Sequence, residues 1–265
     1  MSTAPQATSV ASGLRIQTRV TGALIMREIV TRYGRHNIGF MWVFAEPMMF
    51  TLGVVIVWSL LRTHTTRLPV IPFVVTGYSS LLLWRNTIGR CGNAVEPNRS
   101  LLHHRNVRVL DLFVARLLLE VAGASISFLT LATLITIAGF MPPPYDIFPM
   151  LIAWILLAWF AMSMGLIVGA LSVLSDAVDR VWHVIGYLFL PISGMFFMVD
   201  WLPQRIQNLA LYVPTVNCIE LLRGAYFGPS IHAHYDLRYL VTVNLVLLLV
   251  GLAAVKGVAG TVEGE

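Results

Sequence analysis

The chain is a succession of long apolar runs separated by short polar stretches. A helix needs about 20 mostly apolar residues to cross the hydrocarbon core of a bilayer. Five segments meet or nearly meet that length: 41–61, 117–140, 147–174, 181–199 and 237–255. A sixth, 68–84, is shorter and carries Pro69, Pro72 and Gly77. It becomes long enough by continuing toward Ala94, which brings Arg85 and Arg90 to a membrane face. The pattern predicts an all-α integral membrane domain over 1–265, with six transmembrane helices and both termini on one side.

Three stretches are neither plain span nor plain loop. Ahead of the first span, Ala23, Met26, Val30 and Tyr33 share one helical stripe with Ile29 beside them. Thr21, Glu28, Thr31 and Arg32 lie opposite, while Leu24 and Ile25 blur the pattern. This predicts an amphipathic helix over 14–35 lying in the membrane interface. The preceding 1–13 are polar and uncharged, without an apolar h-region, and read as a flexible N-terminus rather than a cleavable signal peptide. Residues 93–111 form a polar, basic loop between the second and third spans. Residues 201–228 are broken by Pro203 and Pro214 and interrupted by Glu220 and Arg223. Each half is too short to cross, so a pair of re-entrant half-helices fits. Such backbone is tolerated at membrane depth only where protein or a water-filled path covers it. There is no internal repeat, and hence no support for the inverted-repeat plan of secondary transporters.

Composition agrees and narrows the class. Hydrophobic residues make up 57%, charged residues 12%, and the mean hydropathy is +0.76. That excludes disorder, collagen and a water-soluble enzyme, because too little polar surface exists to cover a core. The net charge of +5 comes from arginines and a single lysine, Lys256. With the N-terminus inside, only Arg62, Arg67, Arg205, Arg223 and Arg238 of the 18 basic residues fall in outer segments. The positive-inside bias therefore predicts cytoplasmic N- and C-termini. It also accounts for the basic excess without nucleic acid. Cys91 falls near the inner face and Cys218 near the outer, so they are not expected to pair, and two cysteines are too few for a disulfide framework.

The chemistry available is sparse. There is no G-x-x-x-x-G-K-[ST] loop, and the lone lysine stands in Val255-Lys256-Gly257. ATP cannot be held here by a P-loop. H-E-x-x-H, G-x-S-x-G and paired-cysteine motifs are missing too, and no catalytic residue, metal or cofactor is expected. His103-His104 lacks a carboxylate at ligand spacing, and His232, His234 and Asp236 read as a polar connection ahead of the last span. Intramembrane charges are the better candidates. Glu46 precedes Pro47, which removes a backbone donor; the pair reads either as a bend near the inner interface or as a gate or subunit contact. Arg116 and Glu120 are four apart and are expected to pair along their helix. Arg85 and Arg90 sit where an inward-opening conduit would meet its substrate, and a guanidinium suits phosphate or sugar carboxylate. Interface anchoring is the other reading of both. The seven tryptophans fit interfacial belts, though aromatic faces also let carbohydrate slide.

The most specific stretch is Arg27-Glu28-Ile29-Val30-Thr31-Arg32-Tyr33-Gly34, continuing through Asn37-Ile38-Gly39-Phe40-Met41-Trp42 to Glu46-Pro47. It resembles the opening of the membrane subunit of bacterial capsular-polysaccharide ABC exporters, the KpsM group, which has the type-2 ABC exporter fold. The resemblance continues in Asn93-Ala94-Val95-Glu96, Leu101-Leu102, Arg105, Asp111, Ala115-Arg116 and Leu118-Leu119-Glu120. It returns in Pro214, Glu220-Leu221, Arg223 and Gly228, so that it covers most of the chain. Related O-antigen and teichoic-acid exporters share the interfacial helix and the Gly-x-x-Trp region, but Glu46-Pro47 favours the capsule branch.

The resemblance implies a homodimer docked on two copies of a cytoplasmic ATPase subunit, which binds the ATP and magnesium. It implies that the interfacial helix and a coupling helix around 98–108 touch that ATPase, through Arg27, Glu28, Asn98, His103, His104 and Arg105. It further implies a path for a lipid-linked, acidic polysaccharide, for which Arg32, Tyr33, Arg35, Trp42, Arg85 and Arg90 are the candidates. Glu46, Pro47, Pro214, Glu220 and Arg223 are candidate gate or dimer contacts, with 201–228 as the periplasmic gate. Periplasmic and outer-membrane export proteins would receive the polymer. Arginine stands at nearly every position where relatives often have lysine, which keeps the charge but alters its geometry. The competing expectations are export of O-antigen or teichoic acid, a membrane-embedded glycosyl or acyl transferase, and a passive channel.

Overall fold

The computed structural model describes residues 10–33, 37–61, 68–103 and 107–262. Among these the chain is helical, without a β-strand. The order is α1 (Val10–Tyr33), α2 (Asn37–Leu61), α3 (Val70–Gly89), a 3-10 helix (Glu96–His103), α4 (Val109–Ile137), α5 (Ile147–Leu174), α6 (Asp176–Leu188), α7 (Gln204–Ala210), α8 (Pro214–Phe227) and α9 (Leu237–Val262). Among the described residues four helices are long and apolar enough to cross a membrane, namely α2, α4, α5 and α9. The expected flexible stretch 1–13 lies largely outside the described residues, and α1 already begins at Val10.

α5 is the axis of the bundle. It packs against α3, α8 and α9, and most of its apolar positions are enclosed. Asp146 starts it by accepting from the Phe148 N–H at 3.0 Å. Ser175 ends it and starts α6 with its own side chain. Association of helices in lipid depends on close packing rather than on the hydrophobic effect, so small residues collect at the tightest seams. Gly251 of α9 is one: a Cβ there would stand 2.9 Å from the Leu166 Cβ and 3.0 Å from the Ser163 carbonyl. α3 is enclosed on nearly every side despite its hydroxyls. Thr76 and Ser80 satisfy theirs on the helix's own carbonyls, each at 2.7 Å.

Two expectations need correction and a third is extended. Residues 181–199 are not one helix. α6 stops at Leu188, a 3-10 turn covers Leu190–Ile192, and irregular backbone leads to Trp201. Pro191 has no N–H to continue a helix. Gly194 adopts φ +87, in the left-handed region that glycine reaches without steric cost. Arg116 and Glu120 of α4 each also bridge to another helix, Arg116 to Glu28 and Glu120 to Arg90. On α1 it is Leu24 and Ile29 that are buried, Leu24 against Leu112 and Ala115 of α4, whereas Met26 and Val30 are exposed. An interfacial helix has protein, lipid and water around it, so a two-sided stripe does not tell which apolar face meets protein.

The bundle has two chemically distinct ends. α1 and the 3-10 helix lie at one, beside the C-terminal end of α3. α7 and α8 lie at the other, beside the start of α3 and of α5.

Candidate functional site

A cleft of about 320 Å³ opens between α2, α3 and α6, toward the α1 end. Tyr78, Leu82, Arg85, Asn86 and Gly89 line one wall, a stripe at helical spacing on α3. Tyr187, Gly186, His183 and Trp182 of α6 form the opposite wall, and Glu46 and Phe50 come from α2. Arg85 and Arg90, which sequence alone could only place near a membrane face, thus share one cavity with Glu46.

The two arginines are held differently. Arg90 follows the last turn of α3, and its Nη2 lies 3.3 Å from Glu46 Oε1 and 3.4 Å from Oε2. Its Nε lies 3.6 Å from Glu120 Oε2 of α4. One guanidinium therefore ties α2, α3 and α4 together. Arg85 instead stacks on a ring, with Cζ 4.7 Å from the centre of Tyr187. Pro47 is buried behind Glu46 and leaves the Val43 carbonyl without its helical donor. Gly123 of α4 packs close to that carbonyl, where a Cβ would stand 2.9 Å away.

At the α1 end, side chains fasten α1 to the segment after α3 and to α4. Arg27 donates to Asn98 Oδ1 at 2.8 Å, and Asn98 in turn donates to the Ala94 carbonyl at 2.9 Å. Glu28 meets Arg116 at 2.9 Å, both about one-eighth exposed, and Arg116 also donates to the Asn93 carbonyl. Gln17 donates to Asp111, whose other oxygen accepts the Arg108 N–H at 2.9 Å and starts α4. Arg27, Glu28 and Asn98 are thus neighbours. The side chains of Arg32, Tyr33 and His103 fall outside the described residues, as do Arg35, His104 and Arg105 entirely. Trp42 is about half exposed on α2 and does not line the cleft.

At the other end, Glu220 and Arg223 are enclosed inside the subunit and bind main chain. Glu220 accepts the Val199 N–H at 2.8 Å and the His234 N–H at 3.1 Å. Arg223 donates to the carbonyls of Gly194 (2.8 Å), Met195 (2.6 Å), Phe197 (2.8 Å) and Phe73 (3.4 Å), and its guanidinium lies 3.7 Å from the Phe73 ring centre. A carboxylate and a guanidinium so engaged do not reach another molecule; they hold the irregular 194–199 backbone and the lead into α9 against α8. Pro214 opens α8 at its first turn. Asn217, which the sequence gave no reason to single out, accepts the Asp236 N–H at 2.8 Å and donates to the Leu211 carbonyl. His234 Nε2 stands 3.5 Å from Asp200 Oδ1.

A profile of ABC-2 type transporters matches residues 19–227, most of the chain. The chain belongs to the ABC-2 type transporter family. Among curated relatives of this permease, the capsule polysaccharide export inner-membrane protein CtrC of Neisseria meningitidis serogroup A is 44% identical over 259 residues, covering 97% of this chain and 98% of the relative. The capsule polysaccharide export inner-membrane protein BexB of Haemophilus influenzae is 43% identical over the same shares. The polysialic acid transport protein KpsM of Escherichia coli is 27% identical over 91% of this chain and 94% of the relative. The match spans α1 through α8, so both ends of the ABC-2 bundle belong to the shared architecture. The permease is a multi-pass membrane protein. Tyr78, Asn86, Trp182 and Tyr187 are among the cleft residues that sequence reasoning did not assign to the site. Tyr78 sits seven residues before Arg85, two helical turns up the same face, which is the one signal that pointed to it.

Proposed function

We propose that this chain is the membrane subunit of an ATP-driven exporter that moves lipid-linked, acidic capsular polysaccharide across the bacterial inner membrane to the periplasm. The carrying observation is the arginine-bearing cleft, set in a chain that matches capsule export proteins nearly end to end. A guanidinium takes phosphate and carboxylate oxyanions through paired N–H groups. The subunit works as a homodimer; exposed apolar faces of α2 and α6 flank the cleft and suit burial against a second copy. The path runs past Arg32, Tyr33, Arg35, Trp42, Arg85 and Arg90.

Two cytoplasmic ATPase subunits supply ATP and magnesium, and this chain binds no cofactor of its own. They dock on α1 and the 3-10 helix through Arg27, Glu28, Asn98, His103, His104 and Arg105. The contacts of α1 with the 3-10 helix and α4 suit transmission of that movement into the bundle. Six crossings place both termini in the cytoplasm, with α3 and the broken α6 segment joining the four long helices. α7 and α8 are the re-entrant periplasmic gate, and Glu46 is a gate or dimer contact. Periplasmic and outer-membrane proteins receive the polymer.

The test is deletion of the gene in its own host, followed by fractionation and lipid-anchor analysis of the polysaccharide. Complete lipid-linked polymer trapped in the cytoplasm is expected. Trapped O-antigen or teichoic acid would change the cargo, absence of polymer would point to synthesis, and normal surface polymer would sink the capsule reading.

A further inference from the structure

We infer that Arg85, and not Arg90, is the residue of the cleft that receives an anion, taking one oxyanion carried by a sugar chain. The inference rests on the export reading and divides the labour within its site. Arg90 lies between two carboxylates, Glu46 at 3.3 Å and Glu120 at 3.6 Å. Two carboxylates already engage that guanidinium. A further anion approaching Arg90 meets repulsion from both glutamates. Arg90 is therefore a positioning residue that holds three helices.

Arg85 is in the opposite situation. Among the described residues no carboxylate stands within ion-pair distance of it, and its guanidinium donates no hydrogen bond. What holds it is the Tyr187 ring, 4.7 Å away. Stacking occupies the face of a guanidinium and leaves the N–H groups at its edge free, in the fork that matches a phosphate or a carboxylate. An arginine without a counter-charge among apolar helices is costly unless a polar cavity serves it. The cavity is present: Tyr78 and Asn86 add a hydroxyl and an amide on the same helix, and Trp182 adds an aromatic wall. The cleft, about 320 Å³, lies within the range of small-ligand sites, about 300 to 1,000 Å³. The oxyanion is either the phosphate of a lipid linker or the carboxylate of a sugar acid.

The test complements the deletion host with wild type, Arg85→Gln, Arg85→Lys and Arg90→Gln. The same full-length chains, purified with their ATPase subunit, are melted with and without sn-glycerol 3-phosphate or glucuronate. Wild type is expected to restore surface polymer and to be stabilised by at least one anion. Stabilisation by glycerol phosphate alone assigns the linker, and by glucuronate alone the sugar acid. Arg85→Gln should melt as wild type without anion, lose the anion-dependent shift and lower surface polymer by about tenfold, the weight of a charge-assisted hydrogen bond. Arg85→Lys should keep part of the shift. Arg90→Gln should melt lower yet still respond to the anion. The assignment is overturned if Arg85→Gln exports normally, if it still responds to the anion, or if neither anion stabilises wild type. Should wild type fail to restore polymer, the export reading falls, while the melting series still decides Arg85.

Discussion

At the α7–α8 end, Glu220 and Arg223 hold main-chain groups; at the α1 end, Glu28, Glu46, Arg90, Arg116 and Glu120 hold one another. The first pair is enclosed and serves backbone that has no helix to satisfy it. The second set runs from about one-eighth to a little over one-third exposed and joins one helix to another. A buried charge engaged with several peptide groups cannot change partners without leaving them all unmatched. A pair such as Glu46–Arg90, each about one-third exposed, exchanges at small cost, because solvent and salt compete for both members. One end is therefore fixed by its charges, while the other is adjustable by them. That division suits a bundle driven from the adjustable end.

Experiments can break this contrast. The largest effect is expected from Arg223→Met, which deprives the carbonyls of Gly194, Met195 and Phe197 of their donor and leaves Glu220 uncompensated. The loss should be about 3–5 kcal/mol, read as a collapse in the yield of monodisperse protein in mild detergent; wild-type yield and melting would refute the fastening role. Glu220→Gln should cost about 1.5–3 kcal/mol, the weight of hydrogen bonds to a charged group. Its melting temperature is the readout. Gly77→Ala follows, at about 1–3 kcal/mol for overpacking, because the new Cβ would stand 2.5 Å from Arg223 Nη2 and 2.9 Å from the Met195 carbonyl. An unchanged melting curve would mean that Arg223 has room to move. Smallest is the coupling between Glu46 and Arg90, each about one-third exposed, about 1 kcal/mol or less in a double-mutant cycle and weaker at high salt. A larger, salt-independent coupling would erase the distinction between the ends.

The long spans were legible because bilayer thickness imposes its length directly on the sequence. The 147–174 expectation and the observed α5 coincide. Arg85, Arg90 and Glu46 could be singled out because charge within apolar runs is conspicuous. Their different states could not, because which carboxylate reaches Arg90 depends on α4 packing against α2 and α3. Residues 181–199 misled because apolar composition satisfies a length rule whether or not the backbone is helical. What breaks that segment includes a guanidinium from α8, more than twenty residues later in sequence. On α4, four-residue spacing made Arg116 and Glu120 possible partners; it carried no information about Glu28 and Arg90, which arrive from other helices.

The two oxygens of Glu220 also set an order of assembly. Val199 precedes this carboxylate in synthesis, but His234 follows it, and with it the whole of α9. A nascent chain that has just released α8 from the ribosome can make one of these bonds and not the other. The α7–α8 end is thus completed only as the last span is delivered, and a polypeptide cut short after Phe227 would present a half-matched carboxylate to the machinery that inserts it.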